Sequence, residues 1–283
     1  MNADFRAPAP LIVTGARGLL GREILRLAPA ARGFGRADLD ITDRAAVDAV
    51  LTPRAVVINC AAYTAVDAAE TDVEAAFAAN ATGPAVLAAA CAAAGARLIH
   101  VSTDYVFPGT ATTPYEPGDP TGPASVYGQS KLAGERAVLE LGAHVVRTAW
   151  VYGGVEGDFV ATMRRLEAER DTVTVVNDQL GSPTSAADLA AALLELSTRP
   201  DAPAVLHATN SGTATWFDLA AAVFTELGAD PTRVLPCASS EFPRPAPRPA
   251  YSVLSPAAWD GAGLTPLRPW RIALTDTLSR LSD

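Results

Sequence analysis

Three groups of residues have the types and the spacing to do chemistry. Tyr127-Gly128-Gln129-Ser130-Lys131 sets a phenol and an ammonium four residues apart, on one face of a helix. A phenol ordinarily ionises near pH ~10, too high for efficient proton exchange at neutral pH, and a fixed ammonium nearby stabilises the phenolate. The pair therefore reads as an acid–base couple in which Lys131 depresses the pKa of Tyr127. The second group is Thr14-Gly15-Ala16-Arg17-Gly18-Leu19-Leu20-Gly21, with a glycine every third residue. That spacing permits a tight turn, close backbone approach to a pyrophosphate, and free N–H groups at a helix start. Glycines also serve ordinary turns, but this loop lies between a strand and a helix, which favours a nucleotide. The third group is basic. Where a strand end would carry an acid for an NAD ribose, the chain reads Ala31-Arg32-Gly33-Phe34-Gly35-Arg36, and Arg17 lies in the glycine loop. Arginines suit a 2′-phosphate, so NADPH is the expected cofactor, with NADH a second option; solvated surface charge is the plainer alternative.

The elements that must position these groups alternate regularly. Leu11–Thr14, Ala55–Asn59, Arg97–Ser102 and His144–Arg147 are short β-branched runs that read as strands. Between them Leu19–Leu27, the Ala-rich stretch Ala68–Ala94 (punctuated by Gly83-Pro84) and Ser125–Leu141 read as helices. Continuous apolar strands between helices are buried on both faces, which predicts an α/β fold, a doubly wound parallel sheet of Rossmann type. Beyond Trp150 the pattern loosens, with a strand at Val173–Val176 and helices at Ser185–Ser197 and Trp216–Leu227. The expected division is a dinucleotide-binding domain over 1–150 and a smaller C-terminal substrate-binding lobe over 151–283, some of whose elements return to the first domain. Pro243-Arg244-Pro245-Ala246-Pro247-Arg248-Pro249 reads as a rigid loop shaping a pocket rather than as a ligand for a partner domain.

Composition narrows the function classes. The 283 residues carry a net charge of −9, against a nucleic-acid or anionic membrane surface. Cys60, Cys91 and Cys237 form no metal or disulfide spacing and read as small buried hydrophobes in a reducing compartment. The three histidines are scattered as well. The start, MNADFRAPAP, has no signal-peptide pattern, and the longest apolar stretch, Gly83 to Ala96, is shorter than the ~20 residues a bilayer needs. A cytoplasmic protein is expected.

Further segments carry a resemblance. They are Leu39-Asp40-Ile41-Thr42-Asp43, Asn59-Cys60-Ala61-Ala62-Tyr63-Thr64-Ala65-Val66-Asp67, and Val101-Ser102-Thr103-Asp104-Tyr105-Val106-Phe107. Arg147 to Tyr152, Asp178 to Thr184 and Arg248 to Leu254 complete the set. With the glycine loop and YxxxK, the chain resembles the extended short-chain dehydrogenase/reductases and, within them, the dTDP-4-dehydrorhamnose reductases. The resemblance implies Thr103, Tyr127 and Lys131 as the catalytic trio. It implies a cofactor site of Gly15, Arg17, Gly18, Leu19, Leu20, Gly21, Arg36, Asp40, Ile41, Ala61, Ala62, Tyr63 and Thr64, with Tyr127 and Lys131. Val66, Thr103, Asp104, Tyr105, Trp150 and Arg248 would meet the sugar substrate. Some members of the family dimerise through a magnesium site built from glutamates. Glu23 matches one ligand, but Ala187 stands near the place of another acid, so no metal is expected and a homodimer is left open.

The implied reaction is NADPH-dependent reduction of the C4 ketone of a dTDP-4-keto-6-deoxy sugar, with dTDP-L-rhamnose as product. A reductase or epimerase of another nucleotide sugar is the first alternative. A non-catalytic nucleotide-binding regulatory subunit is the second, and the intact trio argues against it.

Overall fold

The computed structural model describes residues 9–281; residues 1–8, which make up most of the segment read as lacking a signal peptide, lie outside them. Six strands form one parallel sheet: β1 (Leu11–Thr14), β2 (Arg32–Phe34), β3 (Val56–Asn59), β4 (Arg97–Thr103), β5 (His144–Thr148) and, far downstream, β10 (Val205–His207). Their order is β10-β5-β4-β3-β1-β2, so the winding reverses between β1 and β3. Ligands of such sheets bind at that reversal, beyond the carboxyl strand ends. The register pairs Thr14 with Asn59, and Thr103 with Thr148.

Side chains alternate across the sheet, and each face is covered by helices. Val13, Val56, Ile58, Ile99 and Val146 share one core with Ile24 of α1 (Leu19–Leu27). On the other face Ile12, Val57, Leu98 and Val145 pack with Val47 of α2 (Arg44–Val50) and Val138 of α6 (Val126–Leu139). Burying each such side chain contributes about 1.5–3 kcal/mol, which is why these runs sit inside.

The Ala-rich stretch differs from the single punctuated helix expected. It splits into α3 (Val66–Ala69), α4 (Val73–Phe77), a π-helical turn over Ala78–Thr82, and α5 (Gly83–Ala94). The wider π turn lets the helix run through Gly83-Pro84, where the missing proline N–H would interrupt an α-helical ladder. Val73–Ala94 is thus 22 residues long and apolar enough, by length and composition, to cross a bilayer, longer than the apolar stretch read from the sequence. Its Leu87, Ala88 and Cys91 are buried in the core beside β3 and β4. Of the three cysteines, Cys91 is buried, whereas Cys60 and Cys237 are only half-buried.

Residues beyond 150 form β6 (Val151–Tyr152), α7 (Phe159–Glu169), β7 (Val173–Val176), β8 (Leu180–Gly181) and β9 (Thr184–Ser185). The chain then returns to the main sheet, since α8 (Ala186–Ser197) packs on α1 and β10 pairs with β5. It continues as β11 (Ala214–Thr215), α9 (Trp216–Glu226), β12 (Val234–Cys237), α10 (Ala257–Gly261) and α11 (Trp270–Ser279). A second core of Val160, Met163, Val173, Leu219, Phe224, Val234 and Leu274 belongs to the lobe.

Candidate active site

The glycine loop turns at the reversal of the sheet. Gly15 has φ +66°, and a Cβ there would lie 2.6 Å from the backbone of Cys60 and Ala61, so any side chain would force β1 away from the end of β3. Gly18 caps α1 without a side-chain hydrogen bond, and no acid sits in the first turn. This leaves backbone N–H groups at the start of α1 without a side-chain cap, free to meet an anion. Gly21 is buried against Gly15, and Leu19 and Leu20 are half-buried, Leu19 reaching Gly153 of the lobe.

The corner after β2 corrects the sequence reading. An acid is present there: Asp38 accepts the Gly35 N–H at 2.9 Å and pairs with the Arg17 guanidinium at 3.0 Å. Arg17 lies across Gly35, with Arg36 exposed beside it, whereas Arg32 turns away to donate to Val50 O. The corner therefore holds two arginines and one carboxylate. Asp40 is exposed and accepts from the Thr42 N–H and hydroxyl, which hold its pKa below the ordinary value; Asp43, not Asp40, caps α2. Ile41 buries its side chain against Gly83, so its share in a cofactor site is limited to its backbone.

After β3, Ala61 gives its N–H to Asn59 Oδ1, while Ala62 and Thr64 are exposed. Tyr63 is clamped through its backbone, donating to Asn80 Oδ1 at 2.8 Å and accepting from Asn80 Nδ2 at 3.0 Å. Asn80, in the π turn, also donates to Ser130 and so ties this segment to α6.

Helix α6 carries Tyr127 and Lys131. Ser125 caps it by accepting the Gly128 N–H, and Glu70 accepts the Val126 N–H at 2.9 Å. At Gly128 a Cβ would stand 2.3 Å from Tyr105 O, so only glycine lets α6 approach the turn after β4 this closely. Farther along, Glu135 makes a buried bidentate pair with Arg147 of β5, at 2.7–3.2 Å, fixing the helix to the sheet.

Thr103 ends β4, buried, and donates its hydroxyl to Asp104 Oδ1 at 2.8 Å. Asp104 is 2% exposed, and burial pushes its pKa up to about 6. Tyr105 meets Tyr127 edge-on, with ring centroids 5.6 Å apart. The expected depression of the Tyr127 pKa by Lys131 is not what the site does. Burial raises the Tyr127 phenol to about 12, with the Thr103 hydroxyl only partly opposing it. Lys131 directs its Nζ elsewhere, to Val101 O at 2.7 Å and His100 Nε2 at 3.3 Å, and burial lowers its own pKa to about 8. The phenol is a protonated acid at neutral pH.

Trp150 follows β5 with φ +48°, an unusual conformation for a bulky residue. Its half-buried indole stacks on Trp216 with centroids 3.6 Å apart, and Trp216 donates to Gln179. Val66 opens α3, half-buried, next to Asp67. Arg248 is bound to Asp67 at 2.9 Å, and Arg244 and the Ala246 N–H reach the same carboxylate, so the proline-rich loop is strapped onto α3. Glu23 is paired with Arg26, and among the described residues no group of three His, Cys, Asp or Glu side chains is arranged to hold a metal. Sequence reasoning missed Asp38, Asn59, Asn80, His100 and Trp216. Asn80 had a visible signal, a lone amide in an alanine-rich helix.

A family model described as the RmlD substrate binding domain matches residues 9–282. A dTDP-4-dehydrorhamnose reductase of Mycobacterium tuberculosis is 55% identical, covering 95% of this chain and 92% of that protein. The crystal structure of a dTDP-4-dehydrorhamnose reductase from Clostridium acetobutylicum is similar, with TM-score 0.92 and 40% identity over 97% of this chain and 100% of the other. A Bacillus anthracis dTDP-4-dehydrorhamnose reductase solved in complex with NADP has TM-score 0.91 and 35% identity, with the same coverage.

Proposed function

The chain belongs to the dTDP-4-dehydrorhamnose reductase family, and from that footing we propose that it reduces the C4 ketone of dTDP-4-dehydro-L-rhamnose with NADPH, giving dTDP-L-rhamnose. The observation that carries this reading is the meeting of a protonated, half-buried Tyr127 with Thr103 and Asp104 at the end of β4, on a helix that also brings Lys131. The glycine loop fits a dinucleotide: its backbone passes where a Cβ would collide, and α1 opens without an acid. Bound there, NADPH supplies a hydride to the sugar C4.

The protein's own task is to bind, orient and protonate. Tyr127 gives its proton to the oxygen on C4, for which its neutral form is the required one. Thr103 would turn its one hydroxyl hydrogen from Asp104 to the same oxygen when the substrate is bound. Lys131, on the same helix, serves the nicotinamide ribose. Trp150 covers the apolar face of the deoxy sugar, backed by Trp216. Arg248 stands with Asp67 at the rim, where a diphosphate can compete for the guanidinium.

NADPH oxidation measured with a series of dTDP-4-keto-6-deoxy sugars tests the proposal. Turnover with the L-lyxo-hexos-4-ulose well above the others supports it. Preferential turnover of another nucleotide sugar would move the substrate assignment, and nucleotide binding without turnover of any would make the chain a binding subunit.

A further inference from the structure

Behind Lys131 lies a chain of buried polar groups that the reaction above does not use. Asn59, at the end of β3, accepts the Thr14 hydroxyl at 2.6 Å and the Ala61 N–H at 3.1 Å on its Oδ1. A backbone N–H can only donate, so the atom facing it must be the amide oxygen. The Asn59 Nδ2 is then a donor, and it lies 2.9 Å from His100 Nδ1. His100 is fully buried, and burial holds its pKa well below the ordinary range, so the ring is neutral. With Nδ1 accepting, its single proton is on Nε2, which points at Lys131 Nζ 3.3 Å away. Two donors cannot face each other at that distance. Only the amine form of Lys131 can meet the imidazole N–H with a lone pair, while giving one of its own hydrogens to Val101 O at 2.7 Å. An ammonium has no lone pair to offer.

We propose, on the reading that this site binds NADPH, that His100 is a positioning residue whose Nε2–H favours the amine form of Lys131 over the ammonium, and that Lys131, to the extent that it is uncharged, takes up a proton from solvent when it turns to the nicotinamide ribose. Dinucleotide binding and proton uptake are thereby linked. The groups facing Lys131 from the packed elements are His100 of β4, the Cys60 thiol after β3, and Glu135 on its own helix, itself engaged by Arg147. The ammonium gives way to the amine as the pH rises through about 8 in this arrangement. With an ordinary ammonium of pKa ~10.4 once it faces hydroxyls, uptake is about 0.9 proton per NADPH at pH 9 and about 0.1 at pH 7.

Calorimetric titration of the full chain with NADPH at both pH values, in buffers of different ionisation enthalpy, measures that uptake directly. Asn59→Asp is the informative variant. A carboxylate accepts from Thr14 and Ala61 as before but also from His100 Nδ1–H, which reverses the tautomer and lets Nε2 accept from an ammonium. Uptake at pH 9 should then fall from about 0.9 to below about 0.2, because Lys131 is already charged. In the unsubstituted protein, 15N NMR of His100 should report the Nε2–H tautomer, an observation independent of any variant's folding. An Nδ1–H tautomer, or NADPH binding at pH 9 without proton uptake, would overturn the proposal. Absence of any NADPH binding would instead overturn the functional reading, leaving the tautomer measurement to decide the role of His100.

Discussion

Asp104 is a carboxyl placed where ionisation is poorly supported. Its Oδ1 accepts from Thr103, and its Oδ2 has no well-formed partner among the described residues. Burial lifts its pKa from an ordinary 3.8 to about 6, with hydrogen bonds from Ser252 and Thr103 opposing only in part. The folded chain therefore holds this proton more tightly than the unfolded chain. Stability from the protonated acid is fully present below about pH 3.8 and is lost as the pH rises through about 6. The loss reaches about 3 kcal/mol at pH 7 and above. Asp104→Asn keeps the shape and removes the ionisation. Urea unfolding of both proteins from pH 4 to 8 should show the variant gaining on the parent by under about 1 kcal/mol near pH 4, rising to about 3 kcal/mol by pH 7 and level thereafter. A constant offset between the curves reflects packing alone. A difference that does not change with pH would refute the reasoning.

Tyr127→Phe should keep the fold and NADPH affinity while lowering kcat by about 100- to 10,000-fold, the usual worth of a positioned general acid; near-normal turnover would remove Tyr127 from the mechanism. Replacing Arg17 and Arg36 together with Ala should weaken NADPH binding far more than NADH binding, since only NADPH carries the 2′-phosphate, and an equal loss for both in a fluorescence titration would make the arginines supports of the loop. Trp150→Ala should raise the sugar KM or lower kcat. The stack on Trp216 is worth about 0.5–1.5 kcal/mol, so a fall in Tm much larger than that implies, with unchanged kinetics, would assign Trp150 to the core.

The parallel sheet was legible because its strands are continuous apolar runs, and no other arrangement buries Val56–Asn59 or His144–Thr148 on both faces. Type and spacing pointed to Tyr127 and Lys131 on one helix, whereas Thr103 was implied only by the resemblance. Asp38 was not, because its contacts depend on a turn that brings residue 38 back to Gly35 and Arg17, and nothing in the order of residues marks that return. The long alanine-rich stretch misled in the opposite way: composition favours one helix, but the π turn exists to aim Asn80 at Tyr63 and Ser130, a tertiary requirement. Helix pairing of Tyr127 with Lys131 was read correctly, yet spacing says nothing of where the ammonium points. That direction depends on His100 and Val101, thirty residues upstream on another element.

One physical condition accounts for the perturbed groups in the site together. Asp104, Tyr127, Lys131 and Cys60 are all pushed toward their neutral forms, in each case chiefly by burial. At neutral pH the shift opposes folding only at Asp104 and Lys131, since Tyr127 and Cys60 are neutral in the folded and unfolded chain alike. The nearby Glu135–Arg147 pair is different, since each partner satisfies the other with two-pronged geometry, and it ties α6 to β5 so that the neutral groups keep their places. A poorly solvated region responds strongly to any charge that appears in it. Reduction of a ketone creates such a charge on one oxygen. The phenol of Tyr127 is protonated at working pH and able to lose its proton to an alkoxide, so the burial that keeps it neutral leaves it ready as the proton donor.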